Sequence, residues 1–187
     1  METTNVDFYL DYVSEFQKAA LTVDPQAFAA FVQCMEEARD NGQTIYTFGN
    51  GGSGSSASHV VCDINKGASY GKPKRFKMVC LNDNIATILA YANDVAYSEV
   101  FVEQLKNFLQ PGDLVIGISG SGNSPNVLKA IEYANQNGGK TFGFCGFGGG
   151  KLAGLAQNSL VVHSNDMQKV EDLHMMVFHM AMQVLCR

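Results

Sequence analysis

The chain has no tryptophan, only four prolines and no cysteine pair spaced C-x-x-C. Its five cysteines, Cys34, Cys62, Cys80, Cys145 and Cys186, form an odd and scattered set. That set suits neither a disulfide framework nor a zinc ribbon, and it reads as reduced thiols in a cytoplasmic protein. Cys80 and Cys145 end apolar runs and are expected to be buried. Cations are scarce as well: 13 Lys and Arg stand against 18 Asp and Glu, for a net charge of −5. Nucleic acid demands clustered cations, and the densest basic stretch, Lys72 to Lys77, reads as a short solvated loop. No apolar run approaches the roughly twenty residues that cross a bilayer. The opening residues, Met1 to Asp7, are acidic and polar rather than a secretory leader. Nucleic acid and membrane are therefore not expected partners.

Glycine is plentiful, at 19 residues, and the apolar content of 46% suffices for the core of one domain spanning 1–187. The glycines cluster. Thr44-Ile-Tyr-Thr-Phe48 runs into Gly49-Asn-Gly-Gly-Ser-Gly-Ser-Ser56, and Asp113-Leu-Val-Ile-Gly-Ile118 runs into Ser119-Gly-Ser-Gly-Asn-Ser124. A strand that ends in small hydroxyl residues and opens a helix aims backbone N–H groups and Ser Oγ atoms at one point, which suits a phosphate. Two such loops at strand C-termini point to a phosphorylated small molecule at the rim of a parallel sheet. The expected anchors are Asn50, Gly51, Gly52, Ser53, Ser119, Gly120, Ser121, Asn123 and Ser124.

Apolar residues recur at helical spacing over 6–20, and a second helix should run from Asp24-Pro25 to about Arg39, stopped by Asn41-Gly42. The aromatic faces of these two helices, which extend the chain N-terminally over 1–41, are expected to pack against another subunit. Beyond them the pattern alternates: strand 44–48, helix 54–66, strand 76–81, helices 84–91 and 97–109, strand 113–118, helix 124–136, strand 140–145, short helix 151–155, strand 159–163 and helix 167–186. Five short apolar strands separated by helices predict an α/β fold with a doubly wound five-stranded parallel sheet.

Gly49-Asn-Gly-Gly-Ser53, Gly117-Ile-Ser-Gly-Ser-Gly-Asn-Ser124, Gly148-Gly-Gly-Lys-Leu-Ala-Gly154 and the terminal Glu171…His174…His179 helix together resemble the sugar isomerase (SIS) domain, most closely its phosphoheptose isomerase branch. The resemblance implies a cytoplasmic homotetramer with active sites between subunits. It implies conversion of sedoheptulose 7-phosphate to D-glycero-D-manno-heptose 7-phosphate through an enediol, with zinc in some members. A sister branch keeps the fold and serves as a partner of the replication initiator. A related isomerase or epimerase of another sugar phosphate, or a non-catalytic sugar-phosphate sensor, remains open on the same residues.

Aldose–ketose isomerisation needs a base near the α-carbon, an acid or Lewis acid at the carbonyl oxygen, and an anchor for the distant phosphate. His59 and Asp63 stand four apart on one predicted helix and share a face. They match the family's catalytic His and Glu, the second one methylene shorter here. Asp63 and His179 are the expected catalytic pair. His59, Asp63, Glu171 and His179 are the candidate ligands of a divalent metal, zinc first, with nickel, iron or manganese also suited to the donor set. Glu171 and His179 lie eight residues apart, roughly 12 Å along a helix, so they serve one metal only if their side chains converge. Glu171 occupies a family Gln position, Gln168 a family Asp position, and Gly120 a position where Thr is common. Asp94 matches a family acid near the substrate hydroxyls, and an N-cap of the next helix is an equal reading. His174, on another face from His179, is expected to be structural and satisfied at an interface. No P-loop lysine and no G-x-S-x-G elbow is present, which argues against ATP and serine-nucleophile chemistry.

Overall fold

The computed structural model describes residues 4–187. Two helices lead, α1 (Asn5–Ala20) and α2 (Pro25–Asp40), followed by β1 (Thr44–Gly49), α3 (Gly51–Cys62), β2 (Lys77–Cys80), α4 (Ile85–Asp94), α5 (Val102–Phe108), β3 (Leu114–Ser119), α6 (Pro125–Gln136), β4 (Lys140–Gly146), α7 (Leu152–Leu155), β5 (Asn158–Val162) and α8 (Met167–Leu185). The strands form one parallel sheet in the order β2-β1-β3-β4-β5. This is the doubly wound α/β architecture that the alternating apolar runs predict.

Strand periodicity divides the core into two layers. Leu114, Ile116 and Ile118 of β3 face one side, where Phe31 and Met35 of α2, Val60 of α3 and Val177 and Phe178 of α8 pack against Phe142 and Phe144. Val115 faces the other side, with Val102 and Leu105 of α5 and Val127 and Ile131 of α6. The chain therefore leaves β1 into a helix on one face and leaves β3 into a helix on the opposite face. Between those neighbouring strands the order reverses, and a crevice opens at their carboxyl ends.

Several boundaries differ from the sequence expectation. The helix expected over 54–66 begins at Gly51, so the glycine loop is itself the first helical turn. It ends in a π-helical turn, Asp63–Gly67. There the carboxamide of Asn65 accepts from Met78 N–H and donates to Met78 C=O, tying the turn to β2. The helix expected over 97–109 is broken into a 3-10 turn, Tyr97–Glu99, and α5. Helix α4 runs three residues past its predicted end, so Asp94 closes α4 and caps nothing downstream.

Much of the apolar face of α2, and of α8, is already buried within the chain. Val6, Phe8, Tyr9, Leu10 and Val13 of α1 stay exposed, and so do Ile85 and Leu89 of α4. No described helix is long and apolar enough to cross a membrane. All five cysteines are free, and burial pushes the thiols of Cys80 and Cys145 up to about 12.

Candidate active site

The two serine loops converge. Asn50, Gly51, Gly52 and Ser53 after β1 and Ser119, Gly120, Ser121 and Ser124 after β3 line one pocket of about 270 Å³, closed by Ile118, Met167 and Glu171. The first amides of any helix have no intrahelical acceptor. In α1, α2, α4 and α8 the N-cap side chains Thr4, Asp24, Asn84 and Asp166 accept from them. In α3 and α6 the N-cap residues Asn50 and Ser124 make no such bond. Two uncapped helix N-termini, with the positive ends of their dipoles at one pocket, form an anion cradle. Ser119 Oγ donates to Ser124 Oγ at 3.1 Å, pinning both hydroxyls at its rim. Asn123 lies outside the lining; its carboxamide bonds Ser121 C=O and Lys151 N–H.

The third glycine motif is a buttress for the second loop. Gly146 N–H donates to Gly120 C=O and Leu152 N–H to Gly122 C=O. A Cβ on Gly122, at φ +65°, would strike the carbonyl of Gly149. Gly120 is tight for a different reason, since its missing Cβ leaves room for the thioether of Met167.

Helices α3 and α8 pack together along their lengths, and two carboxylate or imidazole contacts result. Near the start of α3, Glu171 lies against the α-carbon of Gly52, where a Cβ would overlap the carboxylate. Two turns on, His59 Nε2 is 3.1 Å from His179 Nε2 and 3.3 Å from Asp63 Oδ2, and His179 Nε2 is 3.6 Å from the same oxygen. Tetrahedral zinc with ligands at about 2.1 Å spaces its donors by about 3.4 Å. The three donors thus fit a single divalent ion. Among the described residues, Glu171 falls outside this group. Its carboxylate faces the pocket between the serine loops, not the imidazoles, because eight residues of helix separate it from His179.

His174 is buried within the chain and hydrogen-bonded there rather than by a partner. Its Nε2 bonds the carbonyl of Cys145 at 3.0 Å, its Nδ1 has no partner, and desolvation lowers its pKa to about 4. Asp94 is exposed and accepts from Asn93, away from the pocket lining. His163 lies in another pocket with Lys18 and Thr22. Gln168 is likewise outside the pocket between the serine loops.

Three residues that sequence reasoning missed brace the first loop from outside the pocket lining. Asn82, after β2, grips Gly49 at both backbone groups, accepting at 3.2 Å and donating at 2.8 Å. Asn126, on the first turn of α6, exchanges two side-chain bonds with Asn50. Tyr97 donates its hydroxyl to Asn50 Oδ1 at 2.9 Å. A signal existed for Asn126, a polar residue just past the serine loop at Pro125-Asn126. Tyr97 had none, because it reaches the loop from a distant segment.

The sequence matches the family described as SIS domain over residues 8–146. It is 35% identical over 169 residues to a probable phosphoheptose isomerase of Thermoplasma acidophilum, covering 90% of this chain and 92% of that one. It is 36% identical over 161 residues to a phosphoheptose isomerase of Helicobacter pylori, covering 86% and 81%. The fold superposes on the structure of a phosphoheptose isomerase from Francisella tularensis with a TM-score of 0.88 at 25% identity, covering 97% and 98%.

Proposed function

This chain belongs to the SIS domain family, and we propose that it is a phosphoheptose isomerase, converting sedoheptulose 7-phosphate to D-glycero-D-manno-heptose 7-phosphate. One observation carries the reading: two serine-lined turns with uncapped helix N-termini share a pocket, and the helix opened by the first of them presents an imidazole–carboxylate cluster further along. From Gly51 to His59 that helix rises about 12 Å. Helical side chains tilt back towards the N-terminus, so the remaining gap is on the scale of an extended seven-carbon ester.

In this reading the phosphate sits on the amides of Gly52 and Ser53 and on Ser119, Ser121 and Ser124. That fixes the far end of the sugar and leaves C1 and C2 beside α3 and α8. Asp63 Oδ2 takes a proton from C1 of the ketose and returns it to C2. His179 Nε2 delivers a proton to the carbonyl oxygen as the enediol forms and recovers one as the aldose carbonyl appears. His59, 3.3 Å from Asp63 Oδ2, holds that carboxylate in place. The same three side chains, His59, Asp63 and His179, could instead hold a divalent ion, zinc by preference; its Lewis acidity would then stabilise charge on the substrate oxygens in place of the proton from His179, whose Nε2 would be a ligand. The carboxylate of Glu171 serves the sugar hydroxyls near the anchor as an acceptor. The exposed apolar faces of α1 and α4 support a homotetramer, and the scattered free thiols support a cytoplasmic setting.

Incubation with a panel of ketose phosphates and detection of aldose tests the function. Turnover of the seven-carbon ester is expected, with His179→Ala at least roughly a hundredfold slower. Full activity of that variant removes His179 from the mechanism. Turnover of no sugar in the panel turns the reading into a sugar-phosphate binding module, and turnover of a different ester alone moves the substrate. Activity in protein that elemental analysis finds metal-free would reject the metal.

A further inference from the structure

Asn50 stands where an N-cap residue would ordinarily accept a bond from its own helix, yet its side chain turns to Asn126 instead. Asn126 is 1% exposed, and its orientation is set by the backbone: Val127 N–H donates to Asn126 Oδ1 at 3.0 Å, so this atom is an acceptor. The same Oδ1 accepts from Asn50 Nδ2 at 2.9 Å, and Asn126 Nδ2 donates to Asn50 Oδ1 at 2.8 Å. Tyr97 donates its hydroxyl to Asn50 Oδ1 as well. A primary amide offers two donors and an acceptor oxygen with two lone pairs. Both lone pairs of Asn50 Oδ1 are therefore engaged, and one N–H of its Nδ2 is left for the pocket it lines.

We infer that Asn126, assisted by Tyr97, is a positioning residue for the phosphate site. It presents Asn50 to the substrate as a donor only and withholds the amide from capping α3, so that the first-turn amides stay free for the anion. It also ties the loop after β1 to the helix after β3, so the two halves of the cradle keep a fixed separation. The inference rests on the phosphate-pocket reading above. The anion itself is the ligand class, so inorganic phosphate serves as the probe.

Calorimetric titration of wild-type protein, Asn126→Ala and Tyr97→Phe with inorganic phosphate separates the alternatives. Steady-state kinetics on the seven-carbon ester and thermal melting accompany it. Asn126→Ala is expected to weaken phosphate binding and raise KM about tenfold, the value of one or two well-placed hydrogen bonds, with kcat within about threefold. Tyr97→Phe, at an exposed position, should move KM the same way by less and leave the melting temperature unchanged. A residue of merely structural importance would lower the melting temperature and leave KM in place. If wild-type protein binds phosphate and both folded variants bind it equally well, the positioning role is wrong. If Asn126→Ala does not fold, Tyr97→Phe decides alone. Absence of phosphate binding in the wild type overturns the pocket and this inference together, and that outcome is distinct from the preceding one.

Discussion

Burial between α8 and the sheet holds the His174 imidazole neutral. Its ring packs edge-on against Phe144, its Nε2 has only the Cys145 carbonyl, and desolvation lowers its pKa from 6.5 to about 4. The unfolded chain therefore takes up this proton at a higher pH than the folded one does. The associated stability is complete above about pH 6.5 and is lost progressively as pH falls towards 4. At the acid end the loss from this one group is on the order of 3 kcal/mol. Denaturant titrations across that window should show stability falling with acid, and His174→Gln should flatten the slope. An equally steep slope in the variant assigns the acid sensitivity elsewhere. At this scale the sequence was legible in part. The serines of the two loops and the pair His59 and Asp63 follow from spacing alone. The partners of Asn50 do not, since no local pattern connects residues 50, 97 and 126.

Among the elements, β3 shows how close packing fixes residue choice. Gly117 faces α6, where a Cβ would stand 3.0 Å from Val127 Cγ1 and 3.1 Å from Ile131 Cδ1. Neither branched side chain has room to retreat, since both are fully buried. Gly117→Ala should cost about 1–3 kcal/mol by overpacking, read as a lower denaturation midpoint. Displacing α6 would also move Ser124 and Asn126 at its N-terminus, so phosphate affinity per folded molecule should fall as well. A variant as stable as the wild type would mean that α6 shifts freely on the sheet. Element types were readable because a period of two and a period near 3.6 leave distinct apolar patterns. Their ends were less so. Helix α3 starts three residues earlier than predicted because glycine, a poor helix former, is placed there by the needs of the pocket rather than by propensity. The π turn at Asp63–Gly67 is equally hidden, since Asn65 reaching Met78 is a long-range contact.

At the scale of the whole molecule, α1 carries five exposed large apolar side chains and α4 two more. Phe8, Tyr9 and Leu10 are each more than half exposed, as are Ile85 and Leu89. A chain of 20.2 kDa seldom leaves such faces bare. Sedimentation should therefore find a multiple of the single-chain mass, a tetramer in this reading, and charge introduced at Phe8 and Leu10 together should lower that mass. A monomer in the wild type would leave these faces without a role. The aromatic content of α1 and α2 suggests a shared interface for both helices, and of the two it is α1 that keeps its large apolar side chains exposed. Phe31 of α2 is spent against Phe142, Phe144 and Phe178 in the core.

By itself the amino-acid sequence determined the layer architecture, the two anion loops and the chemical types at the site. Each of these is a local matter: strand periodicity, the conformational freedom of glycine, and hydroxyl groups placed just after a strand. Tertiary structure alone decided which of those groups meet. Parallel packing of α8 on α3 joined His179 to His59 and Asp63 while sending Glu171 to the other end, because eight helical residues separate the two by more than any side chain spans. Reversal of strand order between β1 and β3 set the two loops side by side, and Asn126 reaches across from α6 to exchange hydrogen bonds with Asn50.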